Sequence, residues 1–410
     1  MNYIDLFAGA GGLSEGFKQA GFTPVAHVEM DAAACLTLKT RTARHYLTET
    51  GQGEIYLRYL LGEINRDYLY SRVPDELLET VICERLSINT LKETFVKIDR
   101  LLGKQKVELI IGGPPCQVYS QVGRSRMGAD KAKNDVRYTL YKEYGEFLKK
   151  FRPAMFVFEN VQGLLTIENG KLLGEIRAFL RDCGYETSYE VLCSADYGVL
   201  QHRNRVILVG KRGKGKLTFP WPEQDLVHGI KIKDALFSDL PKLQPGDAPA
   251  KSFYTKEPLH NYMADRKLRN GIPFVNQHIT RWHNERDLKI YAIAVEKWFE
   301  KRRRLKYNDL QSELKTHQNE SSFLDRYKVV DPEGLSHTIV AHLSKDGHHF
   351  IYPDRNQIRS ISVREAARIQ SFPDNYFFEG GMGAAFRQIG NAVPPLLSWK
   401  LALTLKNQLQ

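Results

Sequence analysis

The chain has no pair of cysteines at metal-binding or redox spacing. Its five, Cys35, Cys83, Cys116, Cys183 and Cys193, are scattered over 410 residues. That argues against a zinc ribbon or a disulfide-stapled scaffold and fits a reducing compartment. No apolar run approaches the roughly 18 residues of a membrane span. The opening MNYIDLFAGAGG lacks the basic stretch and apolar core of a secretory signal. The expectation is a cytoplasmic protein with no membrane partner and no metal. Internal repeats and long low-complexity tracts are missing too. Acidic residues are the scarcer charge: 48 Asp and Glu against 59 Lys and Arg leave a net charge of +11. Such an excess favours an anionic partner, of which nucleic acid is the commonest.

What is present is the composition of a globular enzyme, 42% hydrophobic and 26% charged. The length suits one large domain and a smaller one. Strand signals at Tyr3–Phe7, Phe22–Glu29, Val107–Ile111, Ala154–Phe158, Tyr189–Cys193 and Arg205–Gly210 alternate with helix-period segments such as Gly12–Ala20. This alternation predicts an α/β fold with a parallel sheet covered by helices on both faces. The stretch of about 46–106 reads as a helical insertion. Beyond TFPWP the alternation fades, so 221–358 is expected as a second domain, and 359–410 returns to the first, 1–220.

Two sites stand at strand ends. The turn FAGAGG, Phe7–Gly12, opens a helix after the first strand, where glycines let the backbone approach a ligand. Its spacing is not GxGxxG, which disfavours a dinucleotide. Glu29, ending the next strand, is placed to accept from ribose hydroxyls. The second site is IIGGPPCQ, in which a buried strand runs into two glycines, two prolines and Cys116. Prolines stiffen the backbone, so the thiol is held where open parallel sheets bind ligands. The other cysteines read as buried filler. Met155–Phe158 ends in Glu159 at the same edge, a carboxyl able to face the same substrate.

IDLFAGAGGLSEGF, IIGGPPCQVYS, FVFENVQGLL, ADYGVLQHRNRVILVG, REAARIQSFPD and RQIGNAVPPLL resemble, in order, the blocks of the DNA cytosine-5 methyltransferases of bacterial restriction–modification systems. The resemblance spans the chain except the insertion before Val107 and about 221 to 335. It implies a Rossmann-like S-adenosylmethionine-dependent methyltransferase sheet with a smaller, irregular target-recognition domain. It implies that Phe7, Ala8, Gly9, Gly11, Gly12, Glu29, Met30, Pro115, Leu140, Asn391 and Ala392 form the S-adenosylmethionine pocket. Either Glu63 or Glu84 would contact adenine. Cys116 would add to carbon 6 of cytosine and make carbon 5 nucleophilic. Glu159 would hydrogen-bond the ring, and Arg203 and Arg205 would bind the base oxygen, while Gln201 would organise their strand.

Because the target atom is hidden in a duplex, the base would be flipped out. The segment after Cys116 would close over double-stranded DNA, with Ser120 and Arg124 near phosphate. Thr338 matches the threonine that commonly ends the recognition domain. Basic residues at Arg281–Arg286 and Lys301–Lys306 could meet phosphates, although KRRRLK also reads as the solvated face of a helix. His342, His348 and His349 could read bases. The expected enzyme is a monomer, with any cognate restriction endonuclease acting separately and S-adenosylhomocysteine as product. The alternatives are a tRNA cytosine-5 methyltransferase, a silent DNA-binding relative and, from the glycine turn alone, a nicotinamide-dependent dehydrogenase.

Overall fold

The computed structural model describes residues 1–115, 136–316 and 323–410. Seven strands build its sheet: β1 (Asn2–Leu6), β2 (Thr23–Glu29), β3 (Val81–Cys83), β4 (Leu109–Gly112), β5 (Met155–Asn160), β6 (Tyr185–Cys193) and β7 (Asn204–Arg212). Their spatial order is β3-β2-β1-β4-β5-β7-β6. Pairings from β3 through β5 are parallel, but β7 is antiparallel to both β5 and β6. The all-parallel expectation therefore fails at β7. It follows β6 through a short connection, too short for a parallel crossover. The reversal has a consequence: β7 begins at the edge where β1, β2, β4 and β5 end.

The central strands are buried on both faces, which explains their unbroken apolar runs. Alternate residues divide between two cores. Ile110, Phe156 and Phe158 face Ile98 of α6 (Leu91–Leu102), Tyr144 and Phe147 of α7 (Leu140–Phe151) and Ile176 of α8 (Lys171–Asp182). Ile111, Val157 and Ile207 face Leu13 and Phe17 of α1 (Gly12–Gln19) and Leu397 and Leu401 of α13 (Pro395–Leu409).

The stretch of about 46–106 is not an insertion throughout, since it contains β3 and α6 of the sheet domain itself. Three apolar residues were too few to show β3 in the sequence. What stands outside the sheet is α3 (Gly53–Leu60), α4 (Arg66–Tyr70) and α5 (Asp75–Leu78). These pack on α2 (Ala32–Glu49) through Ala43, Leu47, Tyr56, Leu69, Val73 and Leu78.

Residues 221–358 are mostly irregular. They contain the short α9 (Tyr262–Asp265) and one long helix, α10 (Glu285–Lys301), whose N-cap Asn284 accepts from Asp287 N. This helix stops at Lys301 because Arg302 turns left-handed, at φ +50°. Most of KRRRLK thus leaves the helix, contrary to the helical-face reading. Residues 301–304 and Lys306 are exposed, and Leu305 is buried.

The lobe also shares a core with α11 (Val363–Ile369) and α12 (Gly381–Asn391), as Leu236, Phe237, Ile339 and Phe350 pack with Ala366, Ile369, Phe386 and Ile389. Within 359–410, α13 packs directly on the sheet helices, while α11 and α12 belong to this shared core. Buried ion pairs lock α11: Arg359 to Glu365, and Arg368 to both Asp239 and Asp374.

Helices α1 and α13 touch at Gly16. A Cβ there would overlap the backbone of Ser398 and Trp399. Gly16→Ala is therefore expected to lower stability by about 1–3 kcal/mol, read as a lower midpoint in urea with an unchanged slope.

Candidate active site at the carboxyl edge of the sheet

The edge is assembled from strand ends in register. Leu6 pairs with Val28 and with Gly112, Gly112 with Phe158, and Glu159 with Ile207. From there the chain leaves as the Phe7–Gly12 turn, Glu29, Gly113–Pro115 and Glu159–Asn160, while β7 enters with Arg205.

At the first turn Phe7 and Gly9 both adopt left-handed backbone, at φ +57° and +54°. For phenylalanine this conformation is strained and suggests a functional turn. It lets Gly9 N donate to Glu29 Oε2 at 2.8 Å, while Met30 N and Asp31 N donate to Oε1 at 2.8 Å each. Burial pushes the Glu29 carboxyl pKa up, and these three N–H donors pull it back. A Cβ on Gly9 would meet nothing within 4 Å, so the turn has open space beside it. Gly12 differs: its Cα faces the Val393 carbonyl and Ala392 Cβ, so it seats the C-terminal segment. Ala8, Leu140 and Ala392 are buried, whereas Met30 and Asn391 are exposed.

Glu84 and Glu63 part company here. Glu84 follows β3 and its N donates to Glu29 O at 2.8 Å, which puts it at the edge. Glu63 lies between α3 and α4 and pairs with Arg58 and Lys251.

At the second turn Glu159 Oε1 receives Arg205 Nε at 2.7 Å, with both side chains mostly buried. Gly113 passes directly beneath. A Cβ on it would fall 2.5 Å from Glu159 Oε2 and 2.8 Å from the Glu159 carbonyl. Asn160 Nδ2 donates to Pro114 O at 3.1 Å, and Asn160 Oδ1 accepts from Val161 N. That amide pins the Pro114–Pro115 turn to β5. It had no assigned role in the sequence, where its position next to Glu159 was the available signal. Cys116, Ser120 and Arg124 lie outside the described residues, as does all of the segment expected to close over DNA except its last two residues, 136 and 137.

Arg203 departs from its expected role on the base oxygen. It is fully buried, and its guanidinium donates to Ile339 O at 2.6 Å and Gly390 O at 3.0 Å. Gln201, also buried, accepts from Ile339 N and donates to Gln370, which in turn donates to Ile389 O and Ala392 O. These two residues tie the start of β7 to the lobe and to the end of α12. Thr338 donates its hydroxyl proton to His202 O at 2.6 Å, on the same seam. Arg281 is turned inward onto the carbonyls of Leu343 and Lys345. Of the three histidines, His348 Nδ1 is bonded to Tyr291 OH, burial holds His349 down to about 4, and His342 pairs with Asp346.

The sequence matches the family profile described as C-5 cytosine-specific DNA methylase over residues 1–71 and 78–407. It is 41% identical to the Type II methyltransferase M.Bpa9945I of Bacillus paralicheniformis, with 99% of each chain covered. It is 29% identical to the Type II methyltransferase M.AgeI of Thalassovita gelatinovora, again over 99% of each. Among solved structures, a prophage-encoded E. coli protein named as a DNA modification methyltransferase matches with a TM-score of 0.64 at 23% identity. It covers 99% of both chains and supports the fold.

The inward setting of Arg203 has a measurable consequence. Arg203→Met would leave two buried carbonyls without their charged donor and is expected to cost about 3 kcal/mol. A side chain free to face a ligand would instead change stability by no more than about 0.5 kcal/mol. Urea unfolding of the two proteins separates these cases.

Proposed function

The chain belongs to the C-5 cytosine-specific DNA methylases, and from that membership we propose how its own residues carry out the transfer. It is a DNA (cytosine-5-)-methyltransferase, placing a methyl group on carbon 5 of cytosine in DNA. The family uses S-adenosylmethionine, which when bound supplies an electrophilic methyl group.

The pocket residues fit that donor. A carboxylate already oriented by three backbone N–H groups suits a ribose diol, and the open space beside Gly9 suits close approach of a ligand. In this reading Glu29 holds the ribose, with Met30 beside it and Glu84, rather than Glu63, toward the adenine. Phe7, Ala8, Gly9 and Gly11 shape the turn; Pro115, Leu140, Asn391 and Ala392 close the walls. Gly12 contributes by seating Ala392.

The observation that carries the catalytic assignment is the Glu159–Arg205 pair above Gly113, beside the turn that leads to Cys116. The Cys116 thiolate adds to carbon 6 of a flipped-out cytosine, and the electron pair of the ring's 5,6 double bond makes carbon 5 nucleophilic. Glu159 holds the ring nitrogen and the amine, while Arg205 fixes the carboxylate and offers its remaining N–H groups to the base oxygen. Carbon 5 takes the methyl group, with the thioether S-adenosylhomocysteine as leaving group. It then gives its proton to water as the carbon 6–Cys116 bond breaks and the 5,6 double bond re-forms. Arg203 acts on this chemistry only by positioning β7. Ser120, Arg124 and Thr338 are assigned to the DNA backbone, Thr338 by exchanging the His202 carbonyl for a phosphate.

The lobe formed by 221–358 is assigned to sequence recognition within double-stranded DNA. The Type II names of the relatives support a restriction–modification setting with a separately acting endonuclease, and we assign the enzyme a monomeric, cytoplasmic role. No helix among the described residues is long and apolar enough to cross a membrane.

Incubation with labelled S-adenosylmethionine and duplex DNA, followed by bisulfite sequencing, should reveal methylated cytosines in one short motif. Incorporation into tRNA alone would overturn the DNA assignment. Cys116→Ser is expected to abolish turnover while cofactor binding persists; full activity in that variant would refute the adduct. Glu159→Gln should lower kcat by about 10²- to 10⁴-fold.

A further inference from the structure

Helices α3 and α4 grip a segment that touches the glycine turn at the carboxyl edge. Residues 375–379 run between α11 and α12. Tyr376 OH donates to Ala10 O, inside the glycine turn, at 2.5 Å. Glu379 leads into Gly380, whose Cα faces Ala33 at the start of α2, and a Cβ there would fall 2.6 Å from the Ala33 Cβ. The start of α2 follows directly on Met30 and Asp31, which orient Glu29. Segment 375–379 therefore touches both halves of the pocket, the glycine turn and the ribose carboxylate's support.

Side chains from outside the sheet hold this segment. Tyr56 OH donates to Asn375 O at 2.8 Å, and the Tyr59 ring packs edge-on against Phe377 with centroids 5.4 Å apart. Tyr59 OH donates to Glu379 Oε1 at 2.6 Å, and Arg66 Nη1 reaches Oε2 at 3.4 Å. From α2, Thr40 donates to the same Oε1 at 2.6 Å, and Glu379 N donates to Thr37 Oγ1 at 2.8 Å. Glu379 is 5% exposed, so its charge depends on these partners.

We infer that α3 and α4 form a brace for the methyl-donor pocket, with Tyr59, Arg66 and Glu379 as positioning residues that set donor affinity without touching the donor. The inference rests on assigning that pocket to the edge beside Glu29. A carboxylate held from both sides permits one placement of Gly380 on Ala33; released, segment 375–379 can shift away from Ala10.

The test is calorimetric binding of S-adenosylhomocysteine to the full-length enzyme, alongside steady-state kinetics. Tyr59→Phe, Arg66→Ala and Glu379→Gln are each expected to weaken binding by about three- to tenfold. They should raise the KM for the donor more than they lower kcat or raise the KM for DNA. Arg66→Lys, which keeps the ion pair, should recover most of the affinity. Arg66 is partly exposed, so its variants keep the test open should Glu379→Gln fail to fold. Glu29→Ala is the control. Wild-type binding that Glu29→Ala leaves intact would overturn both the pocket assignment and the brace. Binding lost in Glu29→Ala but unchanged in folded Tyr59→Phe and Arg66→Ala would overturn the brace alone, as would equal losses in both KM values and kcat.

Discussion

Strand β7 enters the sheet against the direction of its neighbours, and the candidate active site depends on that reversal. In a sheet of parallel strands, every residue at the carboxyl edge ends a strand, and the chain then runs away into a helix. An antiparallel strand between β5 and β6 brings its first residues to the same edge. A guanidinium can thus stand beside the carboxyl that ends β5. The reversal leaves the segment leading into β7 with polar atoms to satisfy outside the ladder. Gln201 and Arg203 do this by bonding to the lobe and to the end of α12. The lobe that would read DNA and the segment that would close on the methyl donor therefore meet at the base of the strand that carries Arg205.

Charge behaves differently from what its sum suggests. Arg41, Arg203, Arg359, Arg364 and Arg368 are buried and unavailable to a phosphate. Most of them lie against buried acids: Glu15 for Arg41, Glu365 for Arg359, Asp239 and Asp374 for Arg368. Burial of charges that are paired inside the protein removes cations and anions together. Among the described residues the buried charged side chains include these five arginines and seven acids, so burial does not remove the positive excess of the whole chain. The electrostatic case for a polyanionic partner survives the loss of individual arginines such as Arg203 and Arg281 from the contact set.

How much the sequence revealed varies with how local the signal is. β1, β2, β4 and β5 were readable because each is a short buried run ending in a turn, and the residues assigned to chemistry sit at those ends. Glu29 and Glu159 are legible that way, whereas Arg205 follows only from the family resemblance of QHRNR; the structure brings Glu159 and Arg205 into contact. β3 was missed because three residues make no pattern, and with it went the reason to prefer Glu84. The orientation of β7 leaves no trace in hydrophobic periodicity, which is the same for either direction. Arg203 was misjudged for a related reason: two arginines two apart in QHRNR look alike until the fold turns one inward. The left-handed Phe7 was unexpected as well, because nothing in a phenylalanine announces that backbone.

The least readable features join residues hundreds of positions apart. Tyr59 and Glu379 are 320 residues apart in sequence, Arg203 and Gly390 are 187. Neither pair forms a motif, and each consists of residue types that are ordinary in their own segments. Such contacts leave strand-end chemistry alone while setting how firmly the elements behind it are held. A segment outside the sheet, like α3–α4, is joined to the edge through 375–379 and through α2, on the side away from the Glu159–Arg205 pair. Rigid placement of a binding turn reduces the ordering cost paid when a ligand arrives. Under the proposed brace, helices outside the recognised motifs would tune affinity, while the motifs would carry the reaction.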